Sequence, residues 1–340
     1  MVCCSGWPVC WCWGYKVLEH GGRLVEAARQ YRIAPSEWLD LSTAINPLGW
    51  PVPPIPPSMW TRLPQDEDGL AEVAGRYYQA AQVLPVAGSQ AAIQALPRLR
   101  RRGRVGLCQP AYAEHAHAWR RAGHEVVAWS ADDSLDGLDV LVLVHPNNPT
   151  GQTYGSAQLL GWHAQLAAHG GWLVLDEAFI DATPAASLAP HSDRPGLIVL
   201  RSLGKFFGLA GARVGFVAAE APLLSALQEL LGPWTVAGAA RWLAQSALAD
   251  TDWQAQTRLD LARAGQALAQ LLGANGLLPT GGSALFQWVT TPQAAAIHQG
   301  LARQGILTRY FETPASLRFG LPGAAVEWQR LESTLKELVW

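Results

Sequence analysis

Residues 197–218 read LIVLRSLGKFFGLAGARVGFVA, and this stretch decides the fold because it places a lysine between two apolar runs. The runs at 197–201 and 212–218 predict two strands. Ser202 and Lys205 follow the first run at the carboxyl end of a predicted sheet strand, where open α/β folds bind their ligands. Because the chain has only two other lysines, the pattern predicts that Lys205 forms a Schiff base with a carbonyl cofactor.

The sequence before this stretch alternates apolar runs with helical segments. Further strands are predicted at 104–108, 124–129, 139–144 and 171–175, and helices at 89–101, 112–122 and 156–169. Continuous apolar runs are typical of strands covered on both faces, so we expect a mostly parallel sheet flanked by helices. After residue 221 the pattern changes to a helical region at 235–273, strands at 284–290, 305–310 and 315–319, and a closing helix at 324–338.

The predicted fold class is therefore α/β, with a large domain built on a mostly parallel sheet and a smaller α+β domain after it. Four segments are expected: a Cys/Trp-rich tail at 1–16, an amino-terminal arm at 17–50 that joins the small domain, the large domain at 51–225, and the small domain at 226–340. The proline-rich segment 47–57 is the predicted connector between the arm and the large domain.

Composition excludes several classes of protein. The 340 residues contain 25 Lys plus Arg and 27 Asp plus Glu, a net charge of −2 that does not favour wholesale binding to nucleic acid. No apolar run is long enough for a membrane helix. Four of the five cysteines fall within the first twelve residues and no ligand set completes a metal site there, so we predict no metal and a reducing, cytoplasmic location.

Polar residues that suit one cofactor follow the predicted strands. Asp176 closes the run at 171–175, and a buried carboxylate needs a cation such as a protonated ring nitrogen. Asn148, in a tight proline-flanked segment, can present an amide, and the ring of Tyr112 can stack. Gly88, Ser89 and Gln90 lie at a strand-to-helix junction that favours a phosphate, to which Ser202 and Arg213 can add a hydroxyl and a guanidinium.

From about residue 18 onward, the chain resembles the fold type I pyridoxal-phosphate enzymes of the aspartate-aminotransferase superfamily. The spacings that carry the resemblance are 28 positions from Asn148 to Asp176, 29 from Asp176 to Lys205 and eight from Lys205 to Arg213. The resemblance implies pyridoxal 5'-phosphate (PLP) as cofactor and a homodimer. It implies that Lys205 and Asp176 are catalytic and that Asn148 contacts the ring hydroxyl. It implies that Tyr112 stacks on the ring. It assigns Ser89, Gln90, Ser202 and Arg213 to the phosphate, and Arg318 to the substrate α-carboxylate.

Two branches of the superfamily are close, the histidinol-phosphate aminotransferases and the threonine-phosphate decarboxylases of cobalamin synthesis. The second is favoured by His20-Gly21, by the segment around Asn46, and by Phe179 where many aminotransferases have tyrosine. The residues predicted to contact the substrate, besides Arg318, are His20, Gly21, Asn46, Asn148 and Arg309, with Arg309 as a second cation for a phosphate. The expected reaction converts L-threonine O-3-phosphate to (R)-1-aminopropan-2-yl phosphate and CO₂. A histidinol-phosphate-type aminotransferase and a non-catalytic scaffold subunit remain as alternatives.

Three positions depart from the patterns of these enzymes. Ala44 stands where the decarboxylases usually have an asparagine, and Asn46 is the expected replacement. Leu63 occupies the place of a tyrosine that reaches the neighbouring subunit's cofactor, and Gly204 that of a hydroxyl residue. We therefore expect the phosphate to depend more heavily on Ser202 and Arg213.

Overall fold

The structure, a computed structural model, describes Leu18 and residues 20–338. The predicted tail at 1–16 lies outside the described residues. The strands are β1 Leu39–Asp40, β2 Val83–Val86, β3 Arg104–Leu107, β4 Glu125–Ala128, β5 Val140–Val144, β6 Trp172–Asp176, β7 Leu197–Ser202, β8 Gly215–Ala218, β9 Gly281–Ser283, β10 Phe286–Thr290, β11 Ile306–Leu307, β12 Arg309–Phe311 and β13 Ser316–Gly320. The helices are α1 Leu24–Tyr31, α2 Ser58–Thr61, α3 Leu70–Tyr78, α4 Ser89–Ala95, α5 Ala113–Arg121, α6 Ser156–Ala167, α7 Ala221–Leu231, α8 Gly238–Ala249, α9 Thr251–Ala274, α10 Ala294–Arg303 and α11 Ala325–Glu337.

The main sheet has seven strands in the order β2-β8-β7-β6-β5-β3-β4. Strands β3 to β7 run parallel to one another, and β8 is antiparallel to both β7 and β2. Alternate residues of β5 enter different cores, Leu141 and Leu143 on one face of the sheet and Val140 and Val142 on the other. Burial on both faces explains the unbroken apolar runs and agrees with the mostly parallel sheet expected from them.

A second sheet, antiparallel and four-stranded, has the order β12-β13-β10-β9. The amino-terminal arm reaches the same part of the chain, because β1 pairs in parallel with β11 through Leu39–Ile306 and Asp40–Leu307. Helix α7 packs its buried Leu224 and Leu227 against the core of the main sheet, although it extends past residue 225. The domain boundaries themselves stay a prediction.

Three predicted elements differ in detail from the structure. The helical region at 235–273 is two helices, because Asp250 ends α8 and accepts a hydrogen bond from the Trp253 backbone N–H at 3.1 Å, which begins α9. Strand β8 begins at Gly215 instead of 212, since Arg213 has a left-handed backbone with φ of 53°. The predicted strand at 305–310 divides into β11 and β12, which pair with different partners.

Strands β1, β2 and β9 are not among the predicted strands. Strand β2 contains Pro85, which cannot donate to a strand ladder and so obscures the pattern. The strand is possible because β2 is an edge of the main sheet, with β8 on one side only. Its position matters to the site, because the chain passes from β2 directly to Gly88 and the start of α4.

Candidate active site

A cavity of about 410 Å³ opens where the parallel strands of the main sheet end. Strand β6 ends there at Asp176 and β7 at Ser202, and the segment after β5 brings Asn148 to the same place. Its lining includes every residue predicted to hold the cofactor: Gly88, Ser89, Gln90, Tyr112, Asn148, Asp176, Ser202, Lys205 and Arg213. The fold thus brings together side chains that are separated by more than 100 positions in the sequence.

Asp176 is buried, with 3% of its surface exposed, and both of its carboxylate oxygens have partners. The Ala178 backbone N–H donates to Oδ1 at 3.1 Å, and His115 Nε2 lies 2.9 Å from Oδ2. His115, itself buried in α5, was missed by the sequence analysis. Its position three residues after Tyr112, which immediately precedes α5, is the signal that points to it.

Lys205 has an amine that is unusually ready to lose its proton. Its Nζ donates to the Thr43 carbonyl oxygen at 2.9 Å and lies 5.4 Å from the centre of the Phe179 ring. Burial, followed by the positive charge of Arg318, lowers the pKa of Lys205 to about 7, while Asp176 opposes the change. At neutral pH a large share of this amine is therefore uncharged and nucleophilic, which an ordinary lysine amine is not.

The other end of the cavity is built to receive an anion. Gly88 has a positive φ of 71°, and a Cβ there would come within 2.7 Å of the Arg213 guanidinium. The Ser202 hydroxyl oxygen accepts the Gly204 backbone N–H at 3.1 Å, which leaves its own proton for a ligand. Together with the first turn of α4, which begins at Ser89, these groups supply donors of the kind that bind phosphate.

A larger cavity of about 1090 Å³ adjoins the first, and His20, Tyr112, Asn148 and Lys205 line both. Gly21, Arg309 and Arg318 line the larger one. Arg309 and Arg318 are direct cross-strand partners in the β12–β13 pair, an arrangement that repulsion between like charges disfavours. Burial, and then the charge of Arg309, lower the pKa of Arg318 to about 9. Two cationic side chains that line one cavity favour an anionic ligand there.

Arg318 links three parts of the chain. Its side chain donates to Asn148 Oδ1 at 2.5 Å and to the Ser42 carbonyl oxygen at 2.5 Å, while its buried Nε has no hydrogen-bond partner among the described residues. The small antiparallel sheet, the segment after β5 and the amino-terminal arm therefore meet at this guanidinium.

His20 is held by a carboxylate that the sequence analysis also missed. Its Nε2 lies 2.8 Å from Glu114 Oε1, and its ring centre lies 5.8 Å from that of Tyr112. The Tyr112 hydroxyl donates to Gln90 Oε1 at 3.3 Å, and burial raises the pKa of Tyr112 to about 12. Gln90 therefore serves this polar network besides lining the smaller cavity.

The structure does not bring Asn46 to either cavity, and this corrects the expectation that it contacts substrate. Its Nδ2 donates to the Phe206 carbonyl oxygen at 2.9 Å, and its Oδ1 accepts the Leu48 backbone N–H at 3.0 Å. With both ends of the amide engaged and only 4% of the residue exposed, Asn46 fastens the arm to the loop that carries Lys205. Ala44 is buried nearby with φ of 51°, and Leu63 is largely exposed.

In the part of the chain that the structure describes, no helix has the length and apolar character of a membrane span. Within the same residues, no group of three or more His, Cys, Asp or Glu side chains is arranged to hold a metal ion.

The fold and this set of side chains define the class. Residues 62–338 match the family model for aminotransferase class I and II, and the chain belongs to that family. It is 60% identical over 322 residues to the threonine-phosphate decarboxylase of Pseudomonas aeruginosa, covering 94% of this chain and 97% of that one. It is 43% identical to the threonine-phosphate decarboxylase of a Sinorhizobium species, with 94% and 98% covered.

Among solved structures, the chain is similar to a histidinol-phosphate aminotransferase from Sinorhizobium meliloti in complex with pyridoxal-5'-phosphate. The TM-score is 0.79, and 95% of this chain and 100% of that chain are covered at 20% sequence identity. At this identity the likeness bears on the fold, which agrees with the predicted fold type I architecture.

Proposed function

We propose that the protein is a PLP-dependent decarboxylase that converts L-threonine O-3-phosphate to (R)-1-aminopropan-2-yl phosphate and CO₂ in cobalamin synthesis. The observation that carries the proposal is the cross-strand pair of Arg309 and Arg318. Both arginines line the larger cavity, and Lys205 and Asn148 line both this cavity and the smaller one proposed for the cofactor. A substrate with two anionic ends, a carboxylate and a phosphate, suits two cations in this position. The names of the relatives at 60% and 43% identity support the same substrate.

The donors of the smaller cavity fit PLP group by group. The amine of Lys205, with its pKa lowered to about 7, suits the aldehyde, and the buried Asp176 carboxylate suits a protonated ring nitrogen. The space beside Gly88, which a Cβ would fill, lies against the Arg213 guanidinium and suits the phosphate. Tyr112 supplies a ring for stacking.

The residues around the cofactor have separable tasks. When bound, PLP supplies an electron sink for the electron pair that a broken bond leaves at Cα. Asp176 balances positive charge at the ring nitrogen. The side chain of His115 and the Ala178 N–H fix the orientation of the Asp176 carboxylate. Arg318 holds the substrate carboxylate, and Lys205 moves the proton that Cα gains after CO₂ leaves.

Whether the carboxylate or the proton leaves Cα depends on how the substrate is held. Anchors at both ends, Arg318 at one and Arg309 with His20 at the other, fix rotation about Cα and so select the bond that breaks. An aminotransferase would select the Cα–H bond with the same parts. The alternative of a non-catalytic scaffold is disfavoured, because Lys205 and Asp176 line one cavity together.

The experiment is an incubation of purified protein and PLP with L-threonine O-3-phosphate in the absence of any keto acid. We expect CO₂ and aminopropanol phosphate, and no product from the Lys205→Ala variant. Activity only when histidinol phosphate and 2-oxoglutarate are supplied together would identify an aminotransferase instead and reject the proposed reaction.

The protein is further proposed to work as a homodimer in the cytoplasm. Support for the dimer comes from large exposed apolar side chains on neighbouring segments, including Trp60, Leu63 and Trp234. Helix α2, which contains Trp60, lies close to the start of α8, where a Cβ at Gly238 would come 2.9 Å from the Met59 carbonyl oxygen. Light scattering should give about twice the 36.6 kDa mass of the chain, and a monomeric mass would reject the dimer.

A further inference from the structure

Glu114 lines the smaller cavity, and the proposed reaction assigns no role to its carboxylate. Among the described residues that line the two cavities, the cations include Lys205, Arg213, Arg309 and Arg318, whereas the carboxylates are Glu114 and Asp176. Asp176 has its task at the cofactor ring. A second carboxylate beside so many cations would weaken the binding of an anionic substrate unless its charge were used locally.

The contacts of Glu114 account for that charge. Its Oε1 faces His20 Nε2 at 2.8 Å, and its Oε2 accepts Gln90 Nε2 at 2.8 Å and Gln94 Nε2 at 3.0 Å. The side chain is only 13% exposed. Two amides from α4 therefore hold one oxygen, and the other is left for the imidazole, so the carboxylate has a single orientation.

The contact with Glu114 determines which ring nitrogen of His20 is available to a ligand. Since Nε2 is directed at Glu114, Nδ1 is the ring nitrogen that remains, and it has no hydrogen-bond partner among the residues that the structure describes. His20 lines both cavities, with its ring centre 5.8 Å from that of Tyr112, and Arg309 and Arg318 line the larger of the two. A protonated ring in this position can donate from Nδ1 to a phosphate oxygen while Glu114 balances its charge.

We propose that Glu114 is a positioning residue that acts through His20, aiming Nδ1 at the substrate phosphate and so selecting phosphorylated amino acids over their unphosphorylated forms. The inference rests on the proposed function for the identity of the substrate. Gln90 and Gln94 act on His20 indirectly. They fix the Glu114 carboxylate, which in turn fixes the His20 imidazole.

The test is a double-mutant cycle on the holoenzyme with His20→Gln, Glu114→Gln and the double variant. KM and kcat are measured for L-threonine O-3-phosphate by release of CO₂. The dissociation constants of L-threonine O-3-phosphate and L-threonine are measured by calorimetry with Lys205→Ala added to each PLP-loaded variant, so that the ligand is not consumed. We expect Glu114→Gln to raise the dissociation constant and KM for the phosphorylated ligand by about tenfold, which corresponds to about 1.4 kcal/mol. We expect kcat and the affinity for L-threonine to stay within about threefold of the wild type.

The coupling between the two positions separates a role through His20 from a structural role. If Glu114 acts through His20, the double variant binds L-threonine O-3-phosphate no more weakly than His20→Gln alone. Additive losses, equal losses for both ligands, or wild-type affinity in Glu114→Gln would each overturn the inference. The matched control is Glu125→Gln, which removes an exposed carboxylate on β4 and should bind like the wild type.

Two further measurements keep the inference separable from folding and from the proposed function. If Glu114→Gln does not fold, Gln94→Leu removes one amide from the carboxylate and should show the same ligand selectivity to a smaller degree; an unchanged selectivity would overturn the inference. Wild-type protein that binds L-threonine O-3-phosphate without releasing CO₂ would reject only the proposed reaction. A failure of the wild type to bind it would reject both.

Discussion

The pH dependence of cofactor attachment tests the electrostatics of the site most directly. With a pKa of about 7, Lys205 is about half uncharged at pH 7, whereas an amine with the ordinary value of 10.5 would be uncharged in about one molecule in 3,000. A lysine is uncharged above its pKa. The rate at which apo-protein takes up PLP should therefore rise with pH through about 7 and level off above it.

The perturbation is Arg318→Gln, because the charge of Arg318 is the largest influence after burial that lowers the pKa of Lys205. Its loss should move the midpoint of the profile to higher pH. A shift of one unit would reduce the uncharged fraction at pH 7 from about one half to about one tenth. Arg309→Gln is the matched control, since it removes the neighbouring guanidinium, which is not among the charges that set this pKa.

The assay follows the visible absorption of bound PLP after mixing, and borohydride trapping with peptide mass analysis assigns the link to Lys205. The same absorption is followed for PLP mixed with an acetylated lysine amide over the same pH range. This series corrects the protein profile for the ionisations of PLP itself. A wild-type midpoint above about pH 9.5, or a midpoint that Arg318→Gln leaves in place or lowers, would refute the electrostatic argument.

Four other substitutions have defined outcomes. Asp176→Asn should lower decarboxylation by at least about a hundredfold, because a neutral amide does not stabilise a protonated ring nitrogen; near-normal turnover would contradict the assignment. His115→Phe, which removes one partner of Asp176, should lower turnover about tenfold and alter the cofactor absorption. Gly88→Ala should weaken PLP affinity at least about tenfold in a fluorescence titration, since the new Cβ meets Arg213 at 2.7 Å. Leu141→Ala, at a fully buried position, should lower the free energy of unfolding in urea by about 2–5 kcal/mol.

The elements that are strongly periodic or continuously apolar could be predicted from the sequence. Strands β5, β6 and β7 are buried on alternate sides by two cores, and their unbroken runs predicted them nearly to the residue. The elements that the sequence did not predict depend on contacts that no local pattern encodes. Strand β2 tolerates Pro85 only because it is an edge, and the division between β11 and β12 arises because each pairs with a different strand.

Among the candidate site residues, Asn46 shows the limit of an argument from residue type. Its amide suits a substrate contact, but in the folded chain it donates to the Phe206 carbonyl oxygen and accepts the Leu48 backbone N–H. His115 and Glu114 show the reverse case. In the sequence they are an ordinary histidine and an ordinary glutamate of a helix. They act as positioning residues because, in the folded chain, His115 contacts Asp176 and Glu114 contacts His20.

The α/β class, the family and a set of candidate cofactor residues could be predicted from the amino-acid sequence, because each depends on a local pattern or on a fixed spacing along the chain. Three features of the site depend on the folded chain. Arg309 and Arg318 are cross-strand partners, the surroundings of Lys205 lower its pKa to about 7, and His20 is held through one ring nitrogen. The physical reason is that charge interactions and desolvation depend on distance and burial in space, and these are fixed only when distant segments pack together.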